Sequence, residues 1–217
     1  MPLICGKYYM DREETSFTLP AGTDFVPMLL FNRCITLEEV ILPEGVEVIA
    51  MSAFNECSNL KRVVLPSTLS AIGQAAFFEC FSLRDIRIPE GCSIIHKHAF
   101  LGCTALEQIT LPQSVTSIDY GVFSGCKSLR RVVLPPTLER IGENAFSCCT
   151  SLREIQIPEG CREICNSAFC GCTALEKVTI PPSVKSVGPF AFFDTPWLRS
   201  LCDQNSYEAI VNGITIS

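Results

Sequence analysis

Hydrophobic positions along the chain recur with a fixed period of 23 residues. Leucine keeps the beat at Leu37, Leu60, Leu83, Leu106, Leu129, Leu152, Leu175 and Leu198. Phenylalanine follows it at Phe54, Phe77, Phe100, Phe123, Phe146, Phe169 and Phe192, and proline at Pro43, Pro66, Pro89, Pro112, Pro135, Pro158 and Pro181. No insertion breaks the register. A fixed period of this length marks a solenoid, in which each unit contacts only its neighbours.

Each unit opens on Leu-x-x-Ile-x-Leu-Pro, whose last residues alternate in the manner of a strand. Proline lacks an N–H and ends that strand. After a polar turn comes an apolar residue (Val46, Leu69, Cys92, Val115, Leu138, Cys161 or Val184), and three residues later Ile49, Ile72, Ile95, Ile118, Ile141, Ile164 or Val187. An Ala-Phe-x-x-Cys-x-x-Leu segment with i, i+3 spacing predicts one helical or 3-10 turn leading back to the next strand. One coil cannot bury its apolar side chains alone, but stacked coils can. The strands therefore predict a parallel sheet with a spacing of roughly 4.8 Å.

These patterns divide the chain into an N-terminal segment (1–13), a solenoid (14–197) and a C-terminal cap (198–217). Within the solenoid, seven full repeats (37–197) follow a degenerate one (14–36). In the cap, Asn212-Gly213 between β-rich segments predicts a hairpin turn. A second periodicity lies above the first. Residues 60–128 and 129–197 align without gaps and agree at about half their positions: Leu60-Lys-Arg-Val-Val-Leu-Pro matches Leu129-Arg-Arg-Val-Val-Leu-Pro. A three-coil block has been duplicated.

The pattern resembles the BspA-like leucine-rich repeats: Leu-x-x-Ile-x-Leu-Pro, then Ile-Gly as at Ile72-Gly73 and Ile141-Gly142, then Ala-Phe-x-x-Cys-x-x-Leu. The resemblance spans residues 14–201. It implies a right-handed leucine-rich repeat solenoid with the parallel sheet on its concave face. It also implies a non-enzymatic role in protein binding or adhesion, with the concave rows as the usual binding face. Members of the family are mainly surface or secreted proteins, which favours that location. The lack of a charged, then apolar, leader in Met1-Pro2-Leu3-Ile4-Cys5-Gly6-Lys7 and the absence of an obvious disulfide framework favour the cytoplasm.

Charge and composition narrow the partner. A net charge of −6 and a pI near 5.0 argue against a nucleic-acid backbone as ligand. Hydrophobic residues make up 47% of the chain, yet no apolar run approaches the ~20 residues of a membrane helix. Phe25–Phe31, the longest near the start, is interrupted by Pro27. A protein partner, no nucleic acid, no membrane insertion and a monomer or weak oligomer are expected.

Fourteen cysteines raise disulfide, metal and redox readings. Seven of them (Cys34, Cys57, Cys80, Cys103, Cys126, Cys149 and Cys172) share one column. Side chains stacked in parallel there suit small buried residues with weak thiol hydrogen bonds better than disulfides, which need converging Cβ vectors. Cys92 and Cys161 share a Val/Leu column and also read as core. Cys148, Cys165 and Cys170 fall in mixed columns and are expected to be partly exposed, with Cys148 and Cys170 as the pair that could meet. A zinc site needs four converging ligands, and His96 stands three coils from Cys165. His96 and His98 have no nucleophile motif around them. No metal, cofactor or catalytic residue is expected. Trp197, at the last repeat boundary, reads as a cap on the core's end.

The outward strand positions are the candidate binding residues. One row is Glu39, Arg62, Asp85, Gln108, Arg131, Glu154 and Lys177. The other is Ile41, Val64, Arg87, Thr110, Val133, Gln156 and Thr179. The first row alternates in sign, which suits either a mixed-charge recognition strip or a self-neutralising surface ladder.

Overall fold

The chain stacks its 23-residue coils into two parallel ribbons around one continuous core. The computed structural model describes residues 3–5, 8–10 and 15–202. Ahead of the solenoid, β1 (Leu3–Cys5) and β2 (Tyr8–Met10) pair antiparallel. The long-strand ribbon, the sheet expected on the concave face, comprises β3 (Ser16–Thr18), β5 (Glu39–Ile41), β7 (Arg62–Val64), β10 (Gln108–Thr110), β12 (Arg131–Val133), β14 (Glu154–Gln156) and β16 (Lys177–Thr179). Residues 23 apart are register partners, so Glu39 lies beside Arg62, and Gln108 beside Arg131. The degenerate first repeat joins in register, Ser16 pairing with Glu39.

A second ribbon follows the polar turn and was not foreseen from the pattern. Its strands are two residues long: β4 (Phe25–Val26), β6 (Val48–Ile49), β8 (Ala71–Ile72), β9 (Ile94–Ile95), β11 (Ser117–Ile118), β13 (Arg140–Ile141), β15 (Glu163–Ile164) and β17 (Ser186–Val187). It falls into two four-stranded sheets, split between β9 and β11.

The Ala-Phe-x-x-Cys segments are turns, and the only helix among the described residues is α1 (Pro196–Cys202). Backbone donors in these turns alternate between two destinations. The N–H groups of Ser52, Phe54 and Glu56 donate to the carbonyls of Gln74, Ala76 and Phe78 in the next coil. Those of Ala53, Asn55 and Cys57 donate three residues back, to Ala50, Ser52 and Phe54. Regular helix would send every donor within its own segment, so this alternation ties coil to coil instead. It needs left-handed backbone two residues before and two after each phenylalanine. Those columns hold φ of 54° at Ser52, 53° at Ala75 and 61° at His98, then 57° at Glu56 and 54° at Glu79. Only at Gly121, Gly102, Gly125 and Gly171 does glycine supply that conformation without steric cost.

The core is a ladder of eight phenylalanines from Phe31 to Phe192. Neighbouring rings lie nearly parallel with centroids 5.1 to 5.4 Å apart. Such separation of parallel rings is offset stacking, the favourable arrangement for their quadrupoles. Edge-on aromatics close both ends: Phe17 on Phe31 at 5.3 Å and Trp197 on Phe192 at 4.7 Å. Trp197 therefore sits where the sequence expected a core cap. The Asn212-Gly213 hairpin lies outside the described residues.

Candidate functional site

The cysteine column is structural. The thiols of Cys57, Cys80, Cys103, Cys126, Cys149 and Cys172 donate to the carbonyls of Phe31, Phe54, Phe77, Phe100, Phe123 and Phe146 at 2.9 to 3.3 Å. Each links its coil to the one before. Burial pushes the Cys103 thiol up to about 12, and it pushes Cys80, Cys126 and Cys149 well above the usual thiol range. Cys92 and Cys161, also buried, rise to about 11. A thiol this hard to ionise is a poor nucleophile and a poor metal ligand.

The three cysteines from mixed columns separate. Cys148 is exposed and Cys170 half-buried, as expected of a partly exposed set. Cys165 is buried, a correction: its thiol is covered beside the Arg140 and Glu163 side chains. Cys148 and Cys170 are neighbours through the backbone, the Cys148 N–H donating to the Cys170 carbonyl at 2.7 Å. No disulfide joins the described cysteines. Among the described residues, no three His, Cys, Asp or Glu side chains converge to hold a metal ion. The His98 ring packs edge-on against Tyr120 at 5.0 Å, and burial, aided by Lys97, lowers its pKa.

The candidate binding residues stand where the alternation puts them, on the outer surface of the long-strand ribbon. Arg62, Asp85, Arg87, Gln108, Thr110, Arg131, Val133, Glu154, Gln156 and Lys177 are exposed, and Glu39 and Val64 are half-buried. The alternating row neutralises itself only at its first step. Arg62 pairs with Glu39 at 2.5 Å and Lys61 with Glu38 at 2.9 Å. Among the described residues, no ion pair engages Asp85, Arg87, Arg131, Glu154 or Lys177.

The ladder beneath this row is also broken. Between β7 and the following coil only a single bridge forms, Arg62 to Asp85, and Asp85–Ile88 makes no strand. Between β12 and β14 no ladder pairing forms. Grooves open at both places. One of about 720 Å³ is lined by Lys61, Arg62, Val64, Arg84, Asp85 and Arg87, and a neighbour of about 330 Å³ runs on to Gln108 and Thr110. The other, of about 290 Å³, is lined by Arg130, Arg131, Glu154, Gln156, Lys177 and Thr179.

A second exposed cluster escaped the sequence reading. The outward row of the short-strand ribbon begins Phe25, Val48, Ala71, Ile94, with Met28, Leu29 and Met51 close by in sequence; all are exposed except half-buried Ala71. Its continuation, Ser117, Arg140, Glu163 and Ser186, is polar, and Arg140 pairs with Glu163 at 3.0 Å. The apolar half was legible only once those dipeptides were known to be strands.

Two parallel ribbons on a 23-residue register, with a leucine, phenylalanine and cysteine from most coils in the core, define the architecture. The family model for the BspA type leucine rich repeat region matches in six copies, across residues 24–132 and 93–214. The chain belongs to the BspA-type leucine-rich repeat family. Among solved structures, a leucine-rich repeat protein from Bacteroides ovatus is similar at 30% identity and a TM-score of 0.80, covering 83% of this chain. The chain spans about half (49%) of that protein's length. The T. pallidum leucine rich repeat protein is similar at 25% identity and a TM-score of 0.62, with 91% of this chain and 86% of that one covered. A leucine rich cell surface protein from Faecalibacterium prausnitzii is similar at 28% identity and a TM-score of 0.62, with 85% and 68% covered. No curated protein matches the chain. The BspA-type repeats here form a scaffold, and no helix among the described residues is long and apolar enough to cross a membrane.

Proposed function

We propose that this BspA-type solenoid is a non-enzymatic scaffold that binds a protein partner on its long-strand face. The observation that carries the reading is the pair of grooves at the ladder breaks, where charged side chains without ion pairs stand beside partly exposed valine. Side chains on a rigid sheet lose little entropy on binding, and arginine is favoured at interface hot spots. A surface adhesin is the second reading, favoured by the similarity to a leucine rich cell surface protein.

The test is a paired charge reversal. A partner recovered by pull-down should bind the Arg62→Glu/Arg131→Glu protein at least tenfold more weakly, with the melting curve unchanged. The Phe25→Asp/Ile94→Asp protein, altered on the short-strand ribbon, should bind as well as the parent. The opposite result would move the site to the apolar flank. Antibody access to this protein on intact cells tests the adhesin reading.

A further inference from the structure

The two copies of the three-coil block differ at a pair of positions joined by one backbone hydrogen bond. Cys148 and Cys170 stand where the first copy has Glu79 and Leu101. The bond itself is the same in both. The Glu79 N–H donates to the Leu101 carbonyl at 2.7 Å, and the Cys148 N–H donates to the Cys170 carbonyl at 2.7 Å. It belongs to the turn ladder that ties each coil to the next. Only in the second copy does it carry a thiol on each side.

Three features bring these thiols together. Residues joined by one hydrogen bond between parallel neighbours have Cα atoms roughly 5–6 Å apart, inside the ~4.4–6.8 Å span of disulfide-bonded cysteines. Gly171 leaves the Cys148 side chain room to lie against the next coil: a Cβ added at Gly171 would stand 3.2 Å from the Cys148 sulfur. Gly102 gives Glu79 the same room in the first copy, where the Glu79 Cγ would come within 3.0 Å of such a Cβ. The Ser147 hydroxyl lies 3.7 Å from the Cys148 sulfur and 3.2 Å from the Cys170 carbonyl, so one donor sits against both residues. Cys148 is exposed and Cys170 half-buried. Burial, and then the neighbouring Cys148 thiol, raise the Cys170 pKa. The pair thus divides into an open thiol that meets a reagent first and a sheltered one beside it.

We propose that Cys148 and Cys170 form a dithiol site that reacts with low-molecular-weight disulfides and closes a reversible bond between the two coils. The Cys148 thiol gives up its proton, and the thiolate attacks one sulfur of a disulfide such as glutathione disulfide. The bond between the two glutathione sulfurs breaks, and the first glutathione leaves as a thiolate that takes up a proton. Cys170 then loses its proton and attacks the Cys148 sulfur of the mixed disulfide. The Cys148–Cys170 bond forms and the second glutathione is released as a thiol. Two protein thiols are oxidised and one small disulfide is reduced to two thiols. Shelter slows Cys170 toward free reagents but not toward a mixed disulfide already held beside it, where its effective concentration is high. The site involves no residue of the long-strand face, so it is independent of partner binding there.

Intact mass of the folded full-length chain, equilibrated with glutathione disulfide and quenched in acid, tests this. The protein should lose two hydrogens and keep no glutathione on either residue. Fragment spectra should place the link between Cys148 and Cys170, and dithiothreitol should reverse it. Cys170→Ser should halt the reaction at the mixed disulfide, with one glutathione left on Cys148. Cys148→Ser should abolish the link, and its Cys170 should take up glutathione at least tenfold more slowly than Cys148 does in the Cys170→Ser protein. Circular dichroism melts show that each variant folds. A parent that ends as the glutathione adduct of Cys148, a parent that does not react, or a link that survives either substitution would overturn the proposal.

Discussion

A single phenylalanine does two jobs here. Its ring fills the coil and stacks on both neighbours, while its carbonyl receives the thiol of the cysteine 26 residues on. Phe100 and Phe146 are fully buried, and truncating either to alanine should cost ~3–5 kcal/mol. Nearest-neighbour coupling spreads the damage to adjoining coils. Urea unfolding checks this, and a loss under about 1 kcal/mol at both sites would remove the ring ladder from the account. Two buried cysteines of the Val/Leu column govern pH behaviour. The folded state holds Cys92 and Cys161 up at about 11, against 9.0 for an ordinary thiol. Their contribution to stability is complete below about 9 and disappears as pH rises through about 11, because the unfolded chain then releases protons that the folded one keeps. Melting temperature should fall across that window. Among the cysteines whose burial is described, a maleimide at neutral pH should label Cys148 first and Cys170 more slowly, with the column cysteines reacting only on unfolding. Peptide mass spectrometry reads the order.

At the scale of the element, the long strands were legible and the short ones were not. Val-x-Leu-Pro carries alternation and a proline stop, whereas Val48–Ile49 is too short to show any period. The turns were misleading in another way. Their i, i+3 spacing implied helix, but alternate donors leave for the next coil, and that requires left-handed backbone at positions filled by Ser, Ala, His, Asn and Phe as readily as by Gly. No residue type announces the conformation. The strain is measurable: at Ser52, with φ of 54°, Ser52→Gly should be neutral or stabilising and Ser52→Val destabilising, with ~1 kcal/mol or more between them in urea unfolding. Equal stability of the two would place this backbone elsewhere. The breaks in the long-strand ladder were invisible for the same reason. Asp-Ile-Arg-Ile-Pro reads as a strand like its neighbours, and only the paired backbone shows that Asp85–Ile88 is not one.

Across the whole molecule, duplication links architecture to function. Growth by a three-coil block repeats the core without penalty, since each coil meets only its neighbours, and repeats the surface as well. The outward rows were readable as candidates from alternation alone. Which of their charges remain available was not, because that depends on where the ladder opens. These openings are the proposed binding face. Backbone hydrogen exchange of the protein with and without its captured partner tests it most directly. Binding should protect residues 84–87, 131–133 and 154–156, while Phe25–Val26, Val48–Ile49 and Ile94–Ile95 are unchanged. Protection confined to those short strands, with the grooves exchanging as before, would contradict it.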